Sequence, residues 1–284
     1  MTSRAWNRPF AVSPIRRFAD SRLERSARFC FHPSVMADWL SSSAGGGLRF
    51  ETTQWSLVAA AAGNEEDRGA LQDLYRNYAQ PIYAFIRRRG YSRQDAQDLT
   101  QDFFLHLLEK KTFSRADRLK GKFRTFLLGA LEFFLAHANE KARAEKRGGN
   151  TIPVFLDDEN AELRYQLADP GQTPEQVFDA RWAATLIETT VDRLRAENEA
   201  AGKRELFNQI RGFLLEGEES SYAQVAERTG LTLGAIRLSI HRLRSRYREL
   251  LRAEIARTVV SSGDFDEEVR ALRASLQSGY LRGA

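Results

Sequence analysis

Between about Arg68 and Arg89, the apolar residues Leu71, Leu74, Tyr75, Tyr78, Ile82, Phe85 and Ile86 recur at spacings of three and four, which marks one face of a helix. Pro81 falls inside this stretch and is expected to bend it. Beyond Gly90, Ser92 and Asp95 form a weak capping box, and a second helix is predicted to about Lys110 with Leu99, Phe103 and Leu107 as its stripe. A polar loop over 111–122 leads to a third helix from about Phe123 to Lys146, stopped by Gly148 and Gly149. Three helices with short connections predict a bundle spanning 51–149.

The pattern then changes. Residues 151–156 (TIPVFL) are short and β-like, acidic positions follow, and 150–172 reads as a linker. Thr173, Pro174 and Glu175 have N-cap, N1 and N2 character, so a fourth helix is predicted through about Asn198, with another over 203–215. At the front, 1–50 has no sustained period, contains Pro9, Pro14 and Pro33 and ends in SSSAGGG. It is expected to be disordered, or a leader created by a misassigned start, with Met36 as an internal start. Residues 261–284 are read as a helical tail.

The most specific local signal lies in 221–251. Ser221 with Gln224 suggests a capping box for a short helix holding Val225 and Ala226. Gly230 follows Ala226 by four residues, and Thr232 can cap a second helix with Ile236, Ile240, Leu243, Tyr247 and Leu251 beneath it. Two helices crossing steeply need a small residue at closest approach, a glycine for the left-handed turn and a β-branched residue under the second helix. This is helix-turn-helix spacing. Arg237, His241, Arg244 and Arg248, at i, i+4, i+7 and i+11, are expected to form a basic stripe opposite the buried face and to meet duplex DNA in the major groove.

Composition narrows the function classes. At 42% hydrophobic and 29% charged, the 284 residues can bury a core. No apolar run approaches the ~18 residues of a membrane span, and no secretory signal opens the chain, so a cytosolic location is expected. Cys30 is the single cysteine and His32, His106, His137 and His241 are scattered, so neither a disulfide framework nor a metal site is expected. No Gly-rich phosphate loop or nucleophile motif supports an enzyme, and no cofactor is expected. The net charge is only +5, yet the charge is segregated. Residues 115–149 hold nine basic and four acidic side chains, 237–257 seven and two, and 154–199 four and eleven. Two basic islands around an acidic bridge fit a protein that touches nucleic acid at two places, because counterion release follows local cation density.

The segments RQDAQDLTQDFFLHLLEK (93–110), GKFRTFLLGALEFFLAHANEKARAEKR (121–147) and SYAQVAERTGLTLGAIRLSIHRLRSRYRELL (221–251), together with TTQWSLV (52–58) and YAFIRRRGYS (83–92), resemble RNA polymerase sigma factors of the extracytoplasmic-function, sigma-70-like type. The resemblance covers residues 50–260. It implies an all-α chain of two small helical domains joined by an acidic linker: a three-helix polymerase and −10 domain (51–149) and a helix-turn-helix −35 domain (173–260). The implied function is to direct core RNA polymerase to specific promoters without catalysis of its own. The implied partners are core polymerase, through its β′ clamp coiled coil and β, and promoter DNA, with room for an anti-sigma factor or other regulator.

Carried over residue by residue, Asp95, Asp98, Gln101 and Asp102 fall on the part that docks on the β′ clamp. The spacing of 95, 98 and 102 also puts three carboxylates on one helix face, fit for a basic partner helix. The −10 part falls on 111–147, where Lys120, Lys122, Arg124, Arg143, Lys146 and Arg147 are expected to meet phosphates. Phe123, Phe126, Phe133 and Phe134 are expected to be mostly core, with the option of stacking on a base. The pattern departs from the family at Phe126, in the usual tryptophan position, and at Glu132-Phe133, where Arg-Asn is common. Thr232, Arg237, His241, Arg244 and Arg248 carry the −35 assignment, although the Lys-Ser-Arg run frequent there is missing. A helix-turn-helix regulator that never docks on polymerase is the alternative, and it leaves the acidic helix 92–110 without a purpose. For Asp157, Asp158, Glu159 and Glu162 two readings stand: they keep the linker soluble and off DNA, or they mask a basic DNA-binding face until polymerase binds.

Overall fold

The computed structural model of the chain describes residues 68–109, 122–144, 161–162, 165, 170–214, 219–259 and 261–280. Among them the secondary structure is helical, with no strand. The elements are α1 (Arg68–Arg88), α2 (Arg93–Glu109), α3 (Phe123–Ala144), α4 (Pro174–Ala200), α5 (Arg204–Ile210) with a 3-10 turn (Arg211–Phe213), α6 (Glu219–Thr229), α7 (Leu233–Thr258) and α8 (Ser262–Tyr280). The expected leader 1–50, the β-like 151–156 and the loop 111–121 lie outside the described residues.

Local chemistry sets the helix starts. Ser92 Oγ accepts from the Asp95 N–H at 3.1 Å and donates to the Asp95 carboxylate at 2.7 Å, which closes the start of α2. Thr173 makes a full capping box with Gln176, and Pro174 follows at N1, where its missing N–H costs nothing. Thr232 Oγ1 accepts from the Ala235 N–H at 3.2 Å and starts α7. The expected cap at Ser221 is not used. Helix α6 begins two residues earlier, at Glu219, and is fixed by packing: the buried Tyr222 ring stands edge-on to Phe213 at 4.9 Å.

α1 is buried almost all round between Tyr78 and Ile86, and it packs chiefly on α4 and α2. α4 is the hub of the molecule. It carries Phe178, Trp182 and Leu194 inward and also packs on α5, α7 and α8. The buried residues of the expected first domain and those of the expected second therefore join in one hydrophobic cluster. The expected linker contributes as well. Ala161 is buried, and the Glu162 carboxylate accepts from Tyr83 Oη and from Arg87 at 2.8 and 3.0 Å.

The C-terminal helix extends the same core. Ser261 caps α8 through the Asp264 N–H at 3.2 Å, and Phe265, Glu268, Leu272, Ser275 and Leu276 form its inward stripe. A fully buried carboxylate such as that of Glu268 needs a cation beside it. That cation is Arg124, on the first turn of α3.

Candidate nucleic-acid and polymerase interfaces

On α2, the residues Ala96, Thr100, Phe103, Phe104 and Leu107 turn inward, which leaves Asp95, Asp98 and Asp102 exposed on the other face. Gln101 is half-buried beside them. The spacing argument thus holds: the three carboxylates share the outward side. Asp95 has a second task, since its carboxylate is held by Ser92. An acid in the first turn also suits the positive end of the helix dipole.

The cations expected to meet the −10 strand are placed differently. Lys120, Lys146 and Arg147 lie outside the described residues, and Arg143 lies in the last turn of α3. Lys122 is ion-paired to Glu267 at 3.0 Å and approaches Glu268 at 3.8 Å. Arg124 is not at the surface at all, with 7% of its area exposed. Its guanidinium binds Glu268 through Nε at 3.2 Å and Nη2 at 3.1 Å, binds Asp179 of α4 through Nη1, and lies 4.6 Å from the Trp182 ring centroid. Burial alone would lower its pKa, but the Glu268 and Asp179 carboxylates more than reverse that, so the net shift is upward and the group stays charged. Arg124 in this fold is an internal ion-pair partner, and a phosphate would have to displace two carboxylates to reach it.

The aromatic residues of α3 sort by exposure. Phe123 and Phe134 are core and Phe126 is partly covered, whereas Phe133 is 60% exposed with its ring 4.1 Å from that of His137. Glu132 beside it pairs with Arg89 at 2.9 Å.

In the helix-turn-helix, Val225 and Ile236 are buried, Ala226 is partly buried against the core, and Gly230 adopts φ +68°, the left-handed turn its spacing calls for. The basic stripe is oriented otherwise than expected. At about 100° per residue, the inward residues Ile236, Ile240, Leu243 and Tyr247 define a direction from which Arg237, Arg244 and Arg248 stand only about a quarter-turn away. The stripe is the flank of α7, not its opposite face. Arg237 and His241 are exposed there. Arg244 is half-buried, and its Nε donates to the Phe213 carbonyl at 2.8 Å, which ties α7 to the 3-10 turn. Arg248 Nε donates to the Arg244 carbonyl at 3.4 Å. Thr232 is occupied as the N-cap.

Three residues escaped sequence reasoning. Arg242 is exposed on the outer face but does not fall on the chosen i, i+4, i+7 line. Asp179 and Glu268 looked like ordinary helix acids. Their only signal is that each falls on the inward side of an apolar period, Asp179 next to Phe178 and Glu268 three residues after Phe265.

Comparison with known proteins agrees with this layout. The family model for sigma-70 region 2 matches residues 74–132, from α1 to the middle of α3. The extracytoplasmic-function RNA polymerase sigma factor SigE of Mycolicibacterium smegmatis is 25% identical over 80% of this chain and 76% of its own length. RNA polymerase sigma factor YlaC of Bacillus subtilis is 24% identical over 62% of this chain and 89% of its own. No solved structure matches significantly. With an acidic α2 inside the matched region and a helix-turn-helix behind it, the chain is similar to sigma-70-like sigma factors of the extracytoplasmic-function type.

Proposed function

We infer that this chain directs core RNA polymerase to specific promoters and supplies their recognition rather than any catalytic step. The match of 74–132 to sigma-70 region 2 carries this reading. In this assignment Asp95, Asp98 and Asp102, with Gln101 beside them, dock on the basic coiled coil of the β′ clamp. Exposure of all three carboxylates supports it, since an acidic face meeting a basic helix gains in both rate and register. α7 enters the major groove of the −35 duplex, with Arg237 and His241 on its flank and Arg242 further round. On the −10 side, Phe133 offers an exposed ring for an unpaired base, and Lys122 lies one residue before α3. Arg124 holds the helices together from inside. The cytoplasm is the location this work requires, and no helix among the described residues is long and apolar enough to cross a membrane.

The test is reconstitution. Purified chain added to core polymerase is expected to initiate at one promoter class from a fragment library, and core alone is expected not to. If the chain shifts duplex DNA tightly and never co-purifies with core, the regulator reading replaces this one.

A further inference from the structure

The crest of α7, the line pointing directly away from the buried Ile236, Ile240, Leu243 and Tyr247, is occupied by an apolar residue. At about 100° per residue, Leu238 falls within about 10° of that line and Arg237 does not. Leu238 is 48% exposed, one of few large apolar side chains so placed among the described residues. Two of the others, Leu231 and Leu233, flank the Thr232 cap at the same end of the helix. Polar and charged side chains frame this apolar point, with Arg237 and His241 on one side and Arg242 four residues on. One turn before it stands Gly234. A Cβ built on Gly234 would meet nothing within 4 Å, so the protein's own packing does not require a glycine there. A glycine inside a helix lowers its stability relative to alanine. The missing side chain leaves the first turn of α7 open to close approach from outside.

A cationic helix with an apolar crest fits one macromolecular surface in particular. In the major groove the base edges are polar except for the C5-methyl of thymine, and phosphates lie along both walls. Gly234 lets the first turn of α7 sit low, the flanking cations reach the walls, and the crest residue meets the floor. We propose that Leu238 is a base-reading residue of this chain and that it reads a thymine in the upstream promoter duplex by contact with its C5-methyl. The proposal rests on the assignment of α7 to the −35 duplex. It adds the base that this chain selects at one position.

The experiment uses the full chain bound to core polymerase. A −35 duplex is first obtained by selection from a randomised library, and each thymine in it is then replaced singly by deoxyuridine, which removes only the methyl group. One replacement is expected to weaken binding by the wild-type complex about fourfold, the value of one buried methyl-sized group. For Leu238→Ala the same replacement is expected to have no effect. Gly234→Ala is expected to keep or raise the thermal midpoint while weakening every selected duplex. The proposal is overturned if the deoxyuridine penalties are the same in Leu238→Ala as in wild type, or if the selected duplex contains no thymine. It is also overturned if Leu238→Ala loosens the chain from core while duplex selectivity stays unchanged, because the crest would then belong to a protein interface. Failure of the underlying reading looks different: the wild-type complex would select no duplex at all.

Discussion

Residues 115–149 and 237–257 carry the same surplus of positive charge, and the fold uses their arginines in opposite ways. At the start of α3, Arg124 is drawn inside and shared between Asp179 and Glu268. On α7, Arg237 and Arg242 stay at the surface, and Arg244 sits between the two extremes. The net surplus is equal in both segments, so surplus alone does not say which cations are available to phosphate. Neighbours decide it. α3 starts beneath two helices that each present a carboxylate at the contact, whereas Arg237, Leu238, His241 and Arg242 on the outer side of α7 are exposed among the described residues.

The sharpest way to break this contrast is Arg124→Ala, which leaves Asp179 and Glu268 without their shared cation, the latter fully buried. A loss of about 3–5 kcal/mol is expected in urea unfolding, with the double variant Arg124→Leu, Glu268→Leu losing less than the two single changes combined. If Arg124 were instead a DNA contact, its removal would cost duplex or bubble affinity and spare stability.

Arg244→Ala tests the intermediate case. Losing a charged hydrogen bond to the Phe213 carbonyl should lower stability by about 1.5–3 kcal/mol and weaken duplex binding only in proportion to the unfolded fraction. Arg237→Ala should behave in the reverse manner. Its stability is expected to stay within about 0.5 kcal/mol of wild type while duplex affinity falls by about 1–3 kcal/mol, measured by anisotropy with core present.

The smallest effect concerns a surface pair between helices. Arg246 of α7 binds Glu197 of α4 at 2.7 and 2.8 Å. Hydrogen bonding and the nearby charge of Arg246 hold the Glu197 carboxyl below its ordinary value. A carboxyl depressed in the folded state stabilises above its unfolded pKa, and that contribution disappears as the pH falls through the folded value. Glu197→Gln should therefore flatten the acid limb of the stability curve slightly and leave stability near neutral pH lowered by well under about 1 kcal/mol.

Much of this architecture was legible from periodicity. The apolar spacings of α1, the Ser92, Thr173 and Thr232 caps and the Gly230 turn all depend on contacts within one or two turns, and those are written locally. The stripe on α7 has the expected register but lies at a different angle from the core. Spacing relates three arginines and a histidine to one another, and only packing shows where the set lies relative to the core. Of the acidic residues expected to mask a basic face, Asp157, Asp158 and Glu159 lie outside the described residues, and Glu162 is bound to Arg87 and Tyr83 on α1. The acidic bridge does reach both basic islands, through Asp179 to Arg124 and Glu197 to Arg246, but as ties between helices. Such pairings join residues far apart in sequence, and no local pattern announces them.

The ion pair between Arg124 and Glu268 spans 144 residues of chain. Closing a loop of that length is slow and comes late, because its entropy must be met before the contact contributes. During synthesis α3 is complete long before α8 exists, and domains form from the N-terminal side first. Until the end of α8 emerges from the ribosome, Arg124 therefore has only Asp179 to receive it, and the growing chain carries an unfinished cationic seat that its own last helix must fill.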